Sequence, residues 1–244
     1  MSAALVIVGL ASFLAGVVNA AFSTGGVFVM VAATTAVFPM TVAVPLQGVL
    51  SAGSVLMRIW LFRQHLCWPL ILLFVPGGAI GTYFGVQVFV TLDEGMIATF
   101  MGLVLLGILW LPPASFRLPI GRPFAAIGLA HGFLGSLFGV GAVLQPMILW
   151  TDLKKLQITG TMAMCLFSLD LLKTAGYIAV GFDYGAYLPH IAIATVMGMA
   201  GVVIGKRLSH LLSEAQFRSI LRWLITLVAL RLVGVGLFAI VFVE

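Results

Sequence analysis

Long apolar runs recur from one end of the chain to the other, and they leave few folds open. Runs of about 17 to 25 apolar residues match a helix crossing the hydrocarbon core of a bilayer. Without water there, each run must satisfy its own backbone, and a helix does so. Composition agrees: 62% of the 244 residues are hydrophobic and 8% charged, whereas a soluble domain carries roughly a quarter charged residues. A soluble domain and a soluble enzyme are thereby excluded, and an all-α polytopic membrane protein is expected. The first run is read as a membrane helix too. Val18-Asn19-Ala20 loosely resembles a cleavage site, yet no Lys or Arg precedes Arg58, so the basic n-region of a signal peptide is missing.

The net charge of +5 points to no nucleic-acid partner, because the basic residues sit in short clusters between apolar runs, where they orient helices. Cys67 and Cys165 lie in or beside apolar runs without metal-ligand spacing. Both are read as small core residues, and neither a metal nor a cofactor is expected.

The runs fall at 3–21, 27–38, 44–62, 67–90, 95–111, 124–138, 142–150, 156–180, 186–205 and 218–241. The longest polar break holds Pro112, Pro113, Arg117, Pro119, Arg122 and Pro123. It divides the chain into a first membrane repeat (1–111), a linker (112–123) and a second membrane repeat (124–244). Motifs recur across that division. Gly16-x-x-x-x-x-Phe22-x-x-Gly25 matches Gly132-x-x-x-x-x-Phe138-x-x-Gly141, Gly78-x-x-Gly81-x-x-x-Gly85 matches Gly198-x-x-Gly201-x-x-x-Gly205, and Leu92-x-Glu94 matches Leu212-x-Glu214. Small residues also serve close helix packing in membranes. Three matches in one order, at nearly constant offset, favour a duplicated unit of about 120 residues.

Charge then orients the halves. Arg58, Arg63 and His65 mark the loop after the third run as cytoplasmic, and Arg117 with Arg122 marks the linker likewise. Asp93 and Glu94 stand in a loop without Lys or Arg, which is expected outside; its counterpart, Lys206-Arg207-x-x-His210, is basic and expected inside. The counterpart of the Arg63 loop carries only Asp183. Corresponding loops thus fall on opposite sides, which predicts two inverted-topology repeats as in secondary transporters. The linker and Lys154-Lys155 both read as inside, so runs 124–138 and 142–150 must enter and return. A helix from Val27 to Phe38 would be about 18 Å long, well short of a core about 30 Å thick. Each repeat is therefore expected to open with a glycine-broken helical hairpin whose second arm is a half-helix.

The hairpin tips, Ser23-Thr24-Gly25-Gly26 and Gly139-Val140-Gly141-Ala142, are candidate substrate-binding segments. Glycine lets a helix break, and the N-terminus of a half-helix attracts anions; the competing reading is tight packing through glycine. Ionisable residues within spans are costly and tend to be functional. Asp170 and Lys173 lie deep in one run, three residues apart on one face, and can pair. An offset of 115 relates Arg58 to Lys173, so the two are candidate symmetry mates beside a site. Arg58 can equally snorkel to the headgroups. Arg231, near the centre of the last run, belongs either to a charge network or to a structural pair with Asp170. Asp170, Lys173 and Arg231 together leave one net positive charge, which suits an anionic substrate. His131 can carry a coupling proton or pack as a hydrogen-bonded core residue. Asn19, Gln47, Gln145 and Thr161 are polar residues near the breaks that can ligate an oxyanion or join neighbouring helices.

No catalytic constellation accompanies them. The chain lacks His-Glu-x-x-His, Gly-x-Ser-x-Gly, a Walker sequence and a carboxylate pair at catalytic spacing. An enzyme is not expected, and neither is an ATP-driven pump in this chain alone.

Taken in order, these features resemble a known family. A glycine-broken hairpin is followed by Phe38-Pro39, Ala43-Val44-Pro45-Leu46-Gln47, Arg58, Trp68, the Gly78-x-x-Gly81-x-x-x-Gly85 motif and a short acidic loop. The second half follows with Leu153-x-Lys155-x-Gln157-x-Thr159-Gly160-Thr161 and Phe182-Asp183-Tyr184. Over essentially its whole length the chain is similar to the TauE/SafE sulfite exporter family of permeases. Its tips depart from the family's longer glycine runs. The resemblance implies a multi-pass protein of the bacterial inner membrane that moves a small sulfur-containing anion such as sulfite, sulfoacetate or a related organosulfonate, by export. A proton or a sodium ion is the candidate coupling ion. The alternatives are a passive anion channel and an uptake permease for another small organic anion.

Overall fold

Every apolar run forms a helix in the computed structural model, which describes residues 3–22, 25–110, 119–141, 143–208 and 214–242. In the first half these are α1 (Ala3–Phe22), α2 (Gly26–Val37), α3 (Met40–Phe62), α4 (Trp68–Phe89) and α5 (Glu94–Trp110). In the second they are α6 (Pro123–Phe138), α7 (Leu144–Leu149), α8 (Lys155–Ala179), α9 (Leu188–Leu208) and α10 (Glu214–Phe242). Short 3-10 turns at Arg63–His65 and Gly185–Tyr187 lead out of α3 and into α9. Two helices begin four residues before the hydropathy reading, α3 and α10, the latter at Glu214. α3 begins at Met40, because Pro39 takes the extended capping position and Pro45 lies inside the helix, where it forgoes one backbone hydrogen bond.

Among the described residues, five helical stretches are long and apolar enough to cross a membrane: Ala3–Phe22, Met40–His65, Trp68–Phe89, Lys155–Ala179 and Gly185–Leu208. α2 and α7 are not. At 1.5 Å per residue they are about 18 Å and about 9 Å long, against a core of about 30 Å. The multi-pass membrane character is also written on the surface. Leu72, Val196 and Leu227 are each about two-thirds exposed, while Arg58 and Lys173 are buried. Trp60, Trp68, Trp110 and Trp223 are exposed as well. The Arg63 guanidinium lies 5.2 Å above the Trp60 ring, and that of Arg222 lies 5.1 Å above Trp110, which meets Trp223 edge to face. Aromatic rings beside basic side chains are the mark of a headgroup region.

The halves are interlocked by their glycine motifs. α1 of the first half packs on α9 of the second, and α6 of the second packs on α4 of the first. Both contacts use matching atoms. A side chain on Gly201 would stand 2.1 Å from the Phe13 carbonyl, and one on Gly81 would stand 2.0 Å from the Leu129 carbonyl. Gly205 meets the Val17 carbonyl as Gly85 meets that of Phe133, and Gly16 meets the Gly198 carbonyl as Gly132 meets that of Gly78. Only glycine permits backbones this close. The recurring glycines are therefore contact points between the first and second halves of the chain.

Two further helix pairs, α3 with α8 and α5 with α10, pack directly and run antiparallel. On α3 and α8, Gly48 lies against Asp170 while Phe62 lies against Gly160. On α5 and α10, Gly95 faces Gly236 and Gly102 faces Ala229.

Candidate functional site

Two breaks in the helices set the site. The chain turns at Gly25 with φ 104° and at Gly139 with φ 73°, conformations that only glycine adopts without strain. The turns bring α2 back beside α1 and α7 back beside α6. Each hairpin is closed by a side chain of its first arm. Asn19 Oδ1 accepts the Gly26 N–H at 2.9 Å, and His131 Nδ1 accepts the Leu144 N–H at 3.0 Å. These bonds revise the idea that the tips present free backbone N–H groups to an anion, because the first N–H of each half-helix is already held. They also fix the imidazole: a ring accepting at Nδ1 carries its proton on Nε2. Gly141 makes room for that ring, since a Cβ there would stand 2.4 Å from it.

Between the tips lies a cavity of about 70 Å3, room for a few water molecules or one small anion. Gly25 reaches it from the first tip, Gly139 and Gly141 from the second. α3 contributes Gln47 and Arg58, α8 contributes Asp170 and Lys173, and Gln145 enters from α7. Gln47 is held in place by its amide, which donates to the Val27 carbonyl at 3.3 Å and faces the Thr34 hydroxyl at 3.4 Å.

The charges are arranged around this space. Lys173 Nζ lies 3.4 Å from Asp170 Oδ1, and Arg58, across the cavity, also interacts with that carboxylate. Arg58 is 1% exposed, so it does not snorkel to the headgroups. Gly48 leaves space for the carboxylate, because a Cβ there would stand 2.8 Å from Asp170 Oδ1. Two cations against one carboxylate give the cavity one net positive charge.

Three candidates from the sequence lie elsewhere. Arg231 is an exposed residue of α10 that does not line the cavity, so the net charge there is set without it. The hydroxyl of Thr161 accepts the Cys67 N–H at 2.8 Å and thereby ties α8 to the loop before α4. Gly26 is a packing residue of the first hairpin, pressed against the Ala15 carbonyl. Ser23 and Thr24 lie outside the described residues, as does Ala142. Three polar lining residues went unread in the sequence, Ser51 of α3, Thr82 of α4 and Ser136 of α6. Lone hydroxyls in apolar helices carry no periodic signal.

Comparison with known proteins bears on this site. The family model described as sulfite exporter TauE/SafE matches residues 8–232, a span that includes every lining residue named above. No curated protein and no solved structure matched the chain.

Proposed function

The chain belongs to the sulfite exporter TauE/SafE family, and on that premise we propose that it is a secondary transporter exporting a small sulfur-containing anion, such as sulfite, sulfoacetate or a related organosulfonate, across the bacterial inner membrane. One observation carries this reading: a small buried cavity between two hairpin tips with one net positive charge, from Arg58, Lys173 and Asp170. Burying cations away from water is expensive unless an opposite charge is brought to them. Asp170 supplies part of that charge, and an entering anion supplies the rest. The anion then takes over contacts that Asp170 makes in its absence. A proton or sodium ion moving with or against the substrate would answer the change in charge.

The arrangement of helices supports inverted repeats. Counterpart helices α3 and α8, and α5 and α10, run antiparallel, which a two-fold axis in the membrane plane produces. Exposed tryptophans stand beside Arg63 after α3 and beside Arg222 of α10, which lies over Trp110 where α5 leads into the linker, in keeping with a cytoplasmic linker.

The test is counterflow of radiolabelled sulfite in proteoliposomes. We expect saturable exchange that weakens on Arg58→Met. Flux that never saturates and shows no exchange with internal substrate would favour a passive channel. No flux of any sulfur oxyanion would remove the reading.

A further inference from the structure

Threonine inside a helix ordinarily satisfies its hydroxyl by bonding back to the carbonyl four residues earlier. Thr34, Thr35, Thr99, Thr159, Thr174 and Thr226 all do so here. Thr82 does not. Its Oγ1 has no hydrogen-bond partner among the described residues, and neither has Ser136 Oγ, although the residues are only 3% and 1% exposed. Both line the cavity. The carbonyl four residues before Thr82, on Gly78, is pressed against Gly132 of α6, and the Ser136 backbone is held by the Tyr177 hydroxyl, which donates to its carbonyl.

Packing does not require these hydroxyls. The crossing of α1 and α9 repeats that of α6 and α4. There a Cβ on Gly16 meets the Val202 nitrogen, where one on Gly132 meets that of Thr82. Val202 thus stands where Thr82 does, and Ala20 stands where Ser136 does, four residues beyond Gly16 as Ser136 is beyond Gly132. One crossing is apolar at both places and the other is hydroxylated at both. Buried donors without partners are unfavourable and rare, and at the wall of a cationic cavity a ligand can supply the acceptor.

We propose that Thr82 and Ser136 form the oxygen-recognising wall of the substrate cavity, donating their O–H groups to oxygens of an anion whose charge is met by Arg58 and Lys173. An anion with several acceptor oxygens on one centre reaches both walls at once. A halide, a single sphere, does not, so the pair selects oxyanions against chloride. This rests on the anion-transport reading above and adds its specificity device.

The experiment titrates purified protein with sulfite, methanesulfonate and chloride, and follows ligand-induced thermal stabilisation in the wild type, Thr82→Val, Ser136→Ala and Thr82→Ser. Hydrogen bonds to charged groups correspond to about a ten-fold to hundred-fold change in affinity. That loss is expected for sulfite and methanesulfonate in Thr82→Val and Ser136→Ala, with chloride binding unchanged and Thr82→Ser restoring most of it. Without ligand, both deletions should melt no lower than the wild type, since no internal bond is lost. Unchanged sulfite affinity, equal losses for chloride, or a lower melting temperature without ligand would each overturn the proposal. If the wild type bound no anion at all, the transport reading would fall first and the proposal with it.

Discussion

Asp170 and Lys173 form an ion pair one turn apart on α8, with Oδ1 3.4 Å from Nζ, at a cavity wall that Arg58 faces from α3. Arg58 and Lys173 stand the same number of residues from the start of their helices, and those helices run antiparallel. The two cations therefore reach the cavity from oppositely directed helices, and the carboxylate lies on one of those helices only. Asp170 is best understood as a resident anion, holding the cations when no substrate is present.

Removing one partner separates attraction for substrate from internal neutralisation. Lys173→Met leaves Asp170 with Arg58 alone. Breaking a buried pair costs about 3–5 kcal/mol, and the remaining cation should reduce that figure. Pairing the change with Asp170→Asn should restore protein yield to near wild type. Sulfite affinity should stay at least about ten-fold weaker, the equivalent of 1.4 kcal/mol, because the cation that meets the anion is still missing. Ligand-induced thermal stabilisation of the double variant measures this. Wild-type stabilisation there would remove Lys173 from the site.

The interlocked crossings predict matched sensitivities in the two halves. Gly81→Ala and Gly201→Ala each place a methyl about 2 Å from a carbonyl oxygen of the opposite half, so the helices must separate. Overpacking of this kind costs about 1–3 kcal/mol. Gly107→Ala and Gly234→Ala meet nothing within 4 Å and serve as controls within about 0.5 kcal/mol. Unfolding in mild detergent compares all four. If Gly81→Ala matched the controls, the close approach of α4 and α6 would be refuted.

Hydropathy located the helices and their short second arms because burial in lipid demands an unbroken apolar run, and the glycine tips because a break needs glycine. Rotation about the helix axis is a different matter. A helix apolar on every side gives no sequence sign of which face meets lipid, so Arg231 read as a core charge and stands exposed. Arg58 had two readings from sequence, and only its 1% exposure separates them. Thr82 and Ser136 stayed invisible because a hydroxyl in a helix can satisfy itself, and whether it does depends on the neighbouring helix.

Opposed charges of corresponding loops predict the topology. Single cysteines near Asp93 and Asp183 should react with an impermeant thiol reagent added outside intact cells, and those near Arg117 and Lys206 should react only after permeabilisation. Cys67 and Cys165 are removed first, since both are free thiols. Labelling of Asp93 and Lys206 positions from the same side would sink the inverted arrangement.

The second hairpin tip offers a test in which strain and collision part company. Gly139 has a positive φ, yet the nearest atom to a new Cβ is 3.7 Å away, so Gly139→Ala meets only the left-handed penalty of about 1–2 kcal/mol. It should lower the melting temperature and keep counterflow. Gly141→Ala instead drives a methyl to 2.4 Å from the His131 ring. The ring must move, the bond from Leu144 is lost, and α7 is no longer held beside the cavity. Counterflow should fall about ten-fold or more while the protein still folds. If the collision is the whole cause, a variant that already lacks the ring should be indifferent to it. His131→Ala alone should impair transport through the lost Leu144 bond, and adding Gly141→Ala should impair it no further, a coupling close to the full effect of the Gly141 change. Additive losses in the double variant would show that Gly141 acts on the cavity directly, and that the histidine is only its neighbour.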